Sequence, residues 1–274
     1  MSEGKRLEKT FKILLNGAET SVSYATVFQL RDGLFNRRHI VILNGFQISE
    51  DAPLTENDEL TVLKKGVMPS ENEFEAMLRA RNTPRIYEKL KSAKVGVAGL
   101  GGLGSNIAVA LARLGVGALV LADFDVVEPS NLNRQHYFVP HLGMKKTDAL
   151  KNQISDINRF ISIETADVFL TEDNAAKIFS DCEIVCEAFD NPEAKAAVTT
   201  ALLGAGKKVV AASGLAGYGS ANDIKTEKRF GGLYVCGDNE SGAEVGVGLM
   251  SPRILVCAGH QANMVLRLIL GMEV

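Results

Sequence analysis

Residues 94–135 read KVGVAGLGGLGSNIAVALARLGVGALVLADFDVVEPSNLNRQ, and this stretch decides the fold. An apolar run over 95–98 enters a G-x-G-x-x-G turn, and a helical pattern over 105–114 leaves it. Glycine lets the backbone turn tightly and approach a phosphate, and the helix start then offers unpaired N–H groups to the anion. A second apolar run ends at Asp123, nineteen residues after Gly104, where a ribose-binding acid is expected. The stretch predicts a nucleotide site and leaves open whether the nucleotide is a dinucleotide or ATP.

The composition is typical of a globular protein of one large or two modest domains. The chain has 274 residues, of which 46% are hydrophobic and 23% charged, enough for a substantial core. A net charge of −3 gives no electrostatic reason to expect a nucleic acid or membrane partner. No apolar run approaches the ~18 residues of a membrane span, and the first residues, MSEGKRLEK, lack an apolar signal core. We therefore expect a cytoplasmic protein.

The four cysteines do not form the spacing of a structural zinc site. Cys182, Cys186, Cys236 and Cys257 are irregularly spaced, and no C-x-x-C pair is present. Two of them lie inside apolar runs, which is typical of buried free thiols. We expect no zinc.

Residues 1–66 are predicted to form a separate small α+β domain. Asn16-Gly17 is a strong two-residue hairpin signal between two short strands, and a helical pattern with one apolar face follows. The predicted strands are 11–15, 21–23, 40–43 and 59–63, and the predicted helix is 26–35. This ββαββ order indicates a ubiquitin-like β-grasp arrangement.

The N-terminal domain resembles the ThiS-like sulfur carrier proteins of thiamine synthesis. The resemblance rests on ILLNG, IVILNG and the ending LTENDELTVL. Such carriers end in a free Gly-Gly whose carboxylate is activated, whereas this chain continues through Lys64, Lys65, Gly66, Val67 and Met68. Without a free terminus this domain is not an acyl donor, and we expect a docking or vestigial role.

The remainder is predicted as a linker with a charged helix over 67–93 and a nucleotide-binding domain over 94–274. Strands and helices alternate after residue 94, which indicates a mostly parallel sheet covered on both faces. The glycine-rich part from 216 to 249 favours hairpins and loops, and a last helix over 251–270 is core, an oligomer contact, or both. The predicted strands are 95–98, 119–123, 162–168, 184–187 and 209–212; the predicted helices are 105–114, 145–158, 172–179 and 192–203.

The residues after Asp123 are more specific than the glycine turn. The run DFDVVEPSNLNRQ resembles the signature of the adenylating enzymes related to ubiquitin-activating enzymes, with ThiF and MoeB as bacterial relatives. The resemblance covers about 85–270 and extends to GMKK at 143–146, FDN at 189–191, SPR at 251–253 and HQAN at 260–263. The short ThiF-like branch, which lacks zinc-binding cysteine pairs, is the most similar form. The resemblance implies a doubly wound Rossmann-like adenylation domain, bound ATP and Mg²⁺, and a homodimer.

The chemistry of the signature residues suits a triphosphate. Arg134 can hold phosphate bidentately, Lys146 is a mobile point charge, and Asn131 and Gln135 offer neutral donors. Asp123 is the expected ribose anchor. The resemblance assigns magnesium to Asp190, and spacing from Gly143 favours Lys146 over the adjacent Lys145. The full nucleotide-binding prediction is Gly99, Gly101, Gly102, Gly104, Asp123, Asp125, Asn131, Gln135 and Lys146. Asp125 and Glu128 are alternatively solvated acids of the turn.

The predicted catalytic residues are Arg134, Lys146, Asp190 and Arg81. In the resembled family an upstream arginine reaches the ATP of the partner subunit, and Arg81 is chosen here over Arg79 and Arg85. No covalent thiol step is expected, with Cys236, at a strand end, the exception to test.

The leading hypothesis is an ATP-dependent adenylyltransferase acting on the C-terminal Gly-Gly carboxylate of a separate sulfur carrier protein, in thiamine precursor synthesis. The alternatives are a related enzyme acting on a molybdopterin carrier, a peptide or a tRNA nucleoside carboxylate, and a non-catalytic carrier-binding module. A nicotinamide oxidoreductase would leave the SNLNRQ run unexplained.

Overall fold

The computed structural model describes residues 10–82 and 84–274, in which the chain divides into two compact units between Glu88 and Lys89. The first unit holds the predicted β-grasp fold and the second holds the predicted doubly wound domain. The predicted boundaries at 66 and 93 lie on either side of the observed division.

The first unit is a five-stranded β-grasp sheet with a helix across one face. The strands lie in the order β2-β1-β5-β3-β4, with β1 and β5 parallel. Val27 and Leu30 of the helix are fully buried against apolar side chains of β1, β3 and β5. The elements are β1 (Phe11–Leu15), β2 (Ala18–Val22), α1 (Val27–Leu34), β3 (Ile40–Leu43), β4 (Phe46–Ile48) and β5 (Glu59–Leu63).

Two Asn-Gly turns form the hairpins of this sheet. Asn16 and Gly17 have φ of 49° and 82°, and Asn44 and Gly45 have φ of 51° and 82°. Positive φ at both central residues is the type I′ geometry that matches strand twist. The second turn produces β4, a strand that the sequence did not predict.

A second helix, α2 (Glu71–Asn82), packs on β3, β4 and β5. Along these strands Val41 and Val62 belong to the core under α1, whereas Ile42 and Thr61 are buried beside Ala76 of α2. Successive strand residues point to opposite faces, so the sheet has a helix on each face. The helix α3 (Pro84–Ser92) follows and contains the division between the two units.

The second unit is a seven-stranded sheet in the order β11-β12-β10-β9-β6-β7-β8. The pairs are parallel except β11 with β12. The elements are β6 (Lys94–Ala98), α4 (Gly102–Leu114), β7 (Ala118–Asp123), α5 (Lys146–Ile157), β8 (Ser162–Asp167), α6 (Glu172–Ile178), β9 (Ile184–Glu187), α7 (Pro192–Gly204), β10 (Lys208–Ala212), β11 (Lys225–Lys228), β12 (Leu233–Gly237) and α8 (Ser251–Ile269).

The strand order reverses between β6 and β9. From β6 the chain proceeds outward through β7 and β8, and it then returns to β9 on the other side and proceeds to β10 and β12. In open α/β sheets, ligands bind outside the carboxyl ends of the strands at such a switch point. No helix among the described residues is both long and apolar enough to cross a bilayer.

Candidate active site

A cavity of about 940 Å³ lies at the carboxyl ends of the strands of the second unit. The cavity is lined by residues that directly follow β6, β7, β8, β9 and β10. Of the predicted site residues, the cavity wall contains Gly99, Gly101, Gly102, Asp123, Asp125, Arg134, Gln135, Lys146 and Asp190. The fold therefore brings together residues that are up to 91 positions apart in the sequence (190 − 99).

The glycine turn between β6 and α4 needs its glycines for different reasons. Gly99 has φ of 88°, in the left-handed region, and its N–H donates to the Ala122 carbonyl at 2.9 Å. A Cβ at Gly104 would overlap the Gly99 carbonyl oxygen, so Gly104 permits close packing of the helix and does not line the cavity. A Cβ at Gly101 would meet only the Gln135 amide, at 3.8 Å. Gly101 therefore leaves space in the cavity.

Asp123 joins the glycine turn to the loop after β7. Its Oδ2 accepts from the N–H of Leu100 at 2.6 Å and its Oδ1 accepts from the N–H of Asp125 at 2.8 Å. The side chain is buried at the cavity wall. The carboxylate fixes both loops, and its remaining lone pairs are available to a ligand hydroxyl.

Lys146 is a buried cation at the start of α5. Its Nζ lies 2.7 Å from Oδ2 of Asp125, and its side chain is 6% exposed. The adjacent Lys145 is exposed, pairs with Asp167 and does not line the cavity. Asp125 is thus the carboxylate that holds the Lys146 ammonium in the wall.

Arg134 and Gln135 form the neighbouring part of the wall. Nη1 of Arg134 donates to the Ser130 carbonyl at 3.1 Å and to Oδ1 of Asn133 at 3.0 Å. The guanidinium lines the cavity. Among the described residues it forms no ion pair with a carboxylate. Gln135 is buried, and its Oε1 has no hydrogen-bond partner in the described part of the chain. A ligand donor in the cavity would satisfy this oxygen.

Three predicted site residues do not line the cavity: Gly104, described above, Asn131 and Arg81. Asn131 is buried, and its Oδ1 accepts from the Glu128 N–H at 3.0 Å, so it fixes the turn that carries Arg134. Arg81 lies exposed on α2 of the first unit, and its role stays a prediction. Arg79 is paired with Glu88 at 2.5 Å.

Asp190 lies in a four-residue loop between β9 and α7. The loop is held by Glu187, a fully buried carboxylate that lies 2.5 Å from Nζ of Lys195 and accepts from the Phe189 N–H at 2.7 Å. Burial raises the pKa of Glu187, which the Lys195 charge opposes. Sequence reasoning missed this pair, although a glutamate ending an apolar strand was a usable signal.

Asp190 is exposed at the cavity wall and is compatible with a magnesium ion. Mg²⁺ is usually held by one or two carboxylates together with substrate phosphates, and Asp190 offers one such carboxylate. No cluster of three or more potential metal ligands occurs in the described residues.

An aromatic pair at the same wall was also missed. Phe124 follows β7 and Phe169 follows β8, and their ring centroids lie 4.9 Å apart in an edge-to-face arrangement. Both rings line the cavity and are over half exposed, at 55% and 56%. Large exposed aromatic rings in a cavity wall are suited to stacking against a flat ring of a ligand.

All four cysteines are buried and free. Burial raises the pKa of Cys236 to about 11, opposed by a hydrogen bond with Thr226, and raises that of Cys257 to about 12. None of the four lines the cavity, and none has the low pKa of a reactive thiol.

Comparisons with known proteins identify both units. The ThiF family model matches residues 75–274, and the ThiS-like ubiquitin model matches residues 11–66. Because the first match covers well over half of the sequence, the chain belongs to the ThiF family.

Relatives with curated names are adenylyltransferases. The adenylyltransferase and sulfurtransferase UBA4 of Candida glabrata is 38% identical over 149 residues, which is 54% of this chain and 34% of that protein. The molybdopterin-synthase adenylyltransferase of Haemophilus influenzae is 43% identical over 107 residues, which is 39% of this chain and 44% of that protein. The matches thus span less than half of either relative.

Solved structures share the fold. The E. coli tRNA N6-threonylcarbamoyladenosine dehydratase TcdA, in complex with ATP, has a TM-score of 0.67 at 22% identity and covers 75% of this chain and 98% of its own. E. coli MccB with AMPCPP and MccA has a TM-score of 0.55 at 25% identity, over 74% of this chain and 64% of its own. These matches confirm the Rossmann-like adenylation fold.

Proposed function

We propose that the chain is an ATP-dependent adenylyltransferase that activates the C-terminal Gly-Gly carboxylate of a separate sulfur carrier protein. The observation that carries the proposal is the placement of Arg134, Lys146 and Asp190 with the glycine turn on one cavity wall. A nicotinamide dinucleotide site would leave the SNLNRQ run, which carries Arg134, unexplained. The adenylyltransferase names of the relatives support the same conclusion.

The reaction is displacement at phosphorus. An oxygen of the ionised carboxylate bonds to the α-phosphorus of ATP, the bond to the bridging oxygen breaks, and pyrophosphate leaves with the electron pair. No proton has to be removed from the nucleophile, so the site needs no general base. It needs stabilisation of charge on the phosphates and exact placement of the carboxylate.

Different residues of the cavity wall bind different parts of ATP. The N–H groups at the start of α4 and Nε2 of Gln135 donate to the phosphates, Arg134 and Lys146 supply positive charge, and Asp123 holds the ribose. The exposed faces of Phe124 and Phe169 receive the base. A magnesium ion at Asp190 would neutralise charge on the phosphates when it is bound.

The proposal also has to name the carrier protein that serves as substrate. The ThiS-like domain of the chain favours a ThiS-type carrier and the thiamine precursor pathway, and a molybdopterin carrier is the alternative raised by the Haemophilus relative. We also propose the homodimer and the Arg81 contact to the partner site that the resemblance implies. Sedimentation of the purified protein tests the dimer.

Carrier-dependent exchange of labelled pyrophosphate into ATP tests the function. We expect exchange with wild type and a loss of about 10²-fold or more in Arg134→Ala, the usual effect of removing one charge-stabilising donor. Arg113→Ala is the control, since Arg113 is an exposed arginine on α4 outside the cavity wall. Absence of exchange with ThiS-type and molybdopterin carriers alike, or tight NAD binding, would refute the proposal.

A further inference from the structure

The segment 134–137 is hydrogen-bonded to the glycine turn and to the start of α4. The His136 N–H donates to Oγ of Ser105 at 2.9 Å, and the Tyr137 hydroxyl donates to the Leu100 carbonyl at 2.9 Å. Ser105 and Tyr137 are both buried. The segment that supplies an arginine to the cavity is therefore joined directly to the turn that supplies N–H groups.

Successive peptide groups of the glycine turn are each held by a side chain. Oδ2 of Asp123 accepts from the Leu100 N–H, and Tyr137 donates to the Leu100 carbonyl. The next carbonyl, that of Gly101, accepts both from Oγ of Ser105 at 2.7 Å and from the Ser105 N–H at 3.1 Å. No donor other than Tyr137 reaches the Leu100 carbonyl in the part of the chain that the structure describes. Tyr137 thus holds this carbonyl without a second donor.

The Leu100 carbonyl and the Gly101 N–H belong to the same peptide group. In a planar trans peptide the C=O and the N–H point in opposite directions, so the Gly101 N–H points away from Tyr137. Gly101 lines the cavity, whereas Tyr137 does not. The Gly101 N–H donates to no acceptor among the described residues, and it is available to an anion in the cavity.

Without the hydroxyl, this peptide group is free to rotate. Leu100 is fully buried, so its carbonyl would be left without a donor, which is unfavourable. Rotation of the peptide group changes φ of Gly101, and glycine accepts positive φ without the steric cost that a Cβ brings. The rotation would carry the Gly101 N–H away from the cavity.

We propose that Tyr137 is a positioning residue for the phosphates of ATP: its hydroxyl holds the Leu100–Gly101 peptide group with the Gly101 N–H directed at them. The inference rests on the ATP binding that the proposed function requires. It adds a residue that touches no part of the nucleotide and controls the affinity for its phosphates, but not the affinity for its nucleoside.

Tyr137→Phe tests the inference, because it removes the hydroxyl and keeps the buried ring. By calorimetric titration we expect the Kd for MgATP to rise about tenfold, as for the loss of one hydrogen bond to a charged group. The Kd for adenosine, measured by competition with MgATP, should stay within twofold because adenosine lacks phosphates. Tyr234→Phe is the matched control, since Tyr234 is a fully buried tyrosine of β12 that does not line the cavity. It should leave both Kd values within twofold of wild type.

The Gly101 amide gives a second, direct readout. In protein labelled with ¹⁵N-glycine, its resonance is the one that Gly101→Ala removes. We expect inorganic pyrophosphate to shift this resonance in wild type and in Tyr234→Phe, and to leave it in place in Tyr137→Phe.

The outcomes separate the inference from the proposed function. Equal rises of both Kd values in Tyr137→Phe, an unchanged Kd for MgATP, or a Gly101 resonance that still shifts in this variant would overturn the inference and leave the proposed function intact. Wild-type protein that binds MgATP but shows no carrier-dependent exchange would refute the proposed function and leave the inference standing. Wild-type protein that does not bind MgATP would refute both.

Discussion

Gly101 and Gly104 belong to one turn, yet their substitution by alanine should have opposite consequences. A Cβ at Gly104 would overlap the Gly99 carbonyl oxygen, so we expect Gly104→Ala to lower the free energy of unfolding by about 3 kcal/mol. Gly101 has φ of −75° and ψ of −147°, outside the common regions of non-glycine residues, but has space around it, so Gly101→Ala should cost only about 1 kcal/mol. Its methyl group would nevertheless stand in the cavity beside Gln135, and we expect the Kd for ATP to rise about tenfold. Urea unfolding and calorimetry measure the two effects. An unstable Gly101→Ala with normal affinity would contradict the assignment.

The buried cysteines give a second prediction at this scale. Because burial raises the pKa of Cys236 to about 11, about one part in a thousand of its thiol is ionised at pH 8. We expect iodoacetamide to modify the native protein at pH 8 at least 100-fold more slowly than the urea-unfolded protein. Cys236→Ser should leave carrier-dependent exchange unchanged. Rapid modification of a cysteine in the native state, or loss of sulfur transfer in Cys236→Ser with exchange intact, would show that a thiol takes part.

Individual site residues could be predicted where their role depends on local sequence spacing. The glycine turn and Asp123 follow from spacing alone, and both lie at the cavity. Asn131 resembles a phosphate ligand in sequence, but its amide oxygen is engaged by the Glu128 N–H, a local contact that spacing does not reveal. Lys195 and Phe169 were missed because their place in the wall depends on the packing of distant strands.

At the scale of elements, the junction of β12 with α8 should be sensitive to acid. Burial opposes ionisation of Asp238, but hydrogen bonds from Ser241 and Glu240 and the charge of Arg253 hold its pKa below the ordinary value of 3.8. A carboxyl with a lower pKa in the folded chain contributes stability that is complete above about pH 4 and is lost as the pH falls through the folded value.

Asp238→Asn removes this dependence. We expect the variant to lose about 3 kcal/mol at pH 7, since breaking a buried pair leaves Arg253 uncompensated. The difference from wild type should shrink when urea unfolding is repeated at pH 3. A difference that stays constant between the two pH values would exclude a stabilising ionised Asp238.

Most elements of the second unit were predictable because each buried strand is a short apolar run and each helix has a clear start. The observed β9 (Ile184–Glu187) has the predicted bounds. The strand β4 was missed because it has only three residues, too few to show alternation. The strand β12 was missed because it pairs in parallel with β10, a partner that no local turn signal indicates.

The whole molecule should unfold as two units with separate cores. Leu60 is fully buried in the core under α1, and the second unit has its own cluster around Phe179. We expect Leu60→Ala to cost about 2–5 kcal/mol and to lower one calorimetric transition while leaving the other, and MgATP binding by the second unit, unchanged. Ile107→Ala in α4 is the converse variant, since Ile107 is also fully buried. A single transition that shifts in both variants would show that the units unfold together.

The position of α2 has a consequence for synthesis of the chain on the ribosome. All strands of the sheet that α2 covers have been synthesised once the ribosome reaches Leu63, and α2 itself has been synthesised at Asn82. At about 5–20 residues per second, these 19 residues (82 − 63) emerge within about one to four seconds. Because the chain leaves the ribosome from its N-terminus, α2 is outside before β6, which begins at Lys94, emerges, so both faces of the first sheet are covered before β6 is exposed. The nascent apolar strands of the second unit therefore meet a finished neighbour and not an open sheet with which they could mispair.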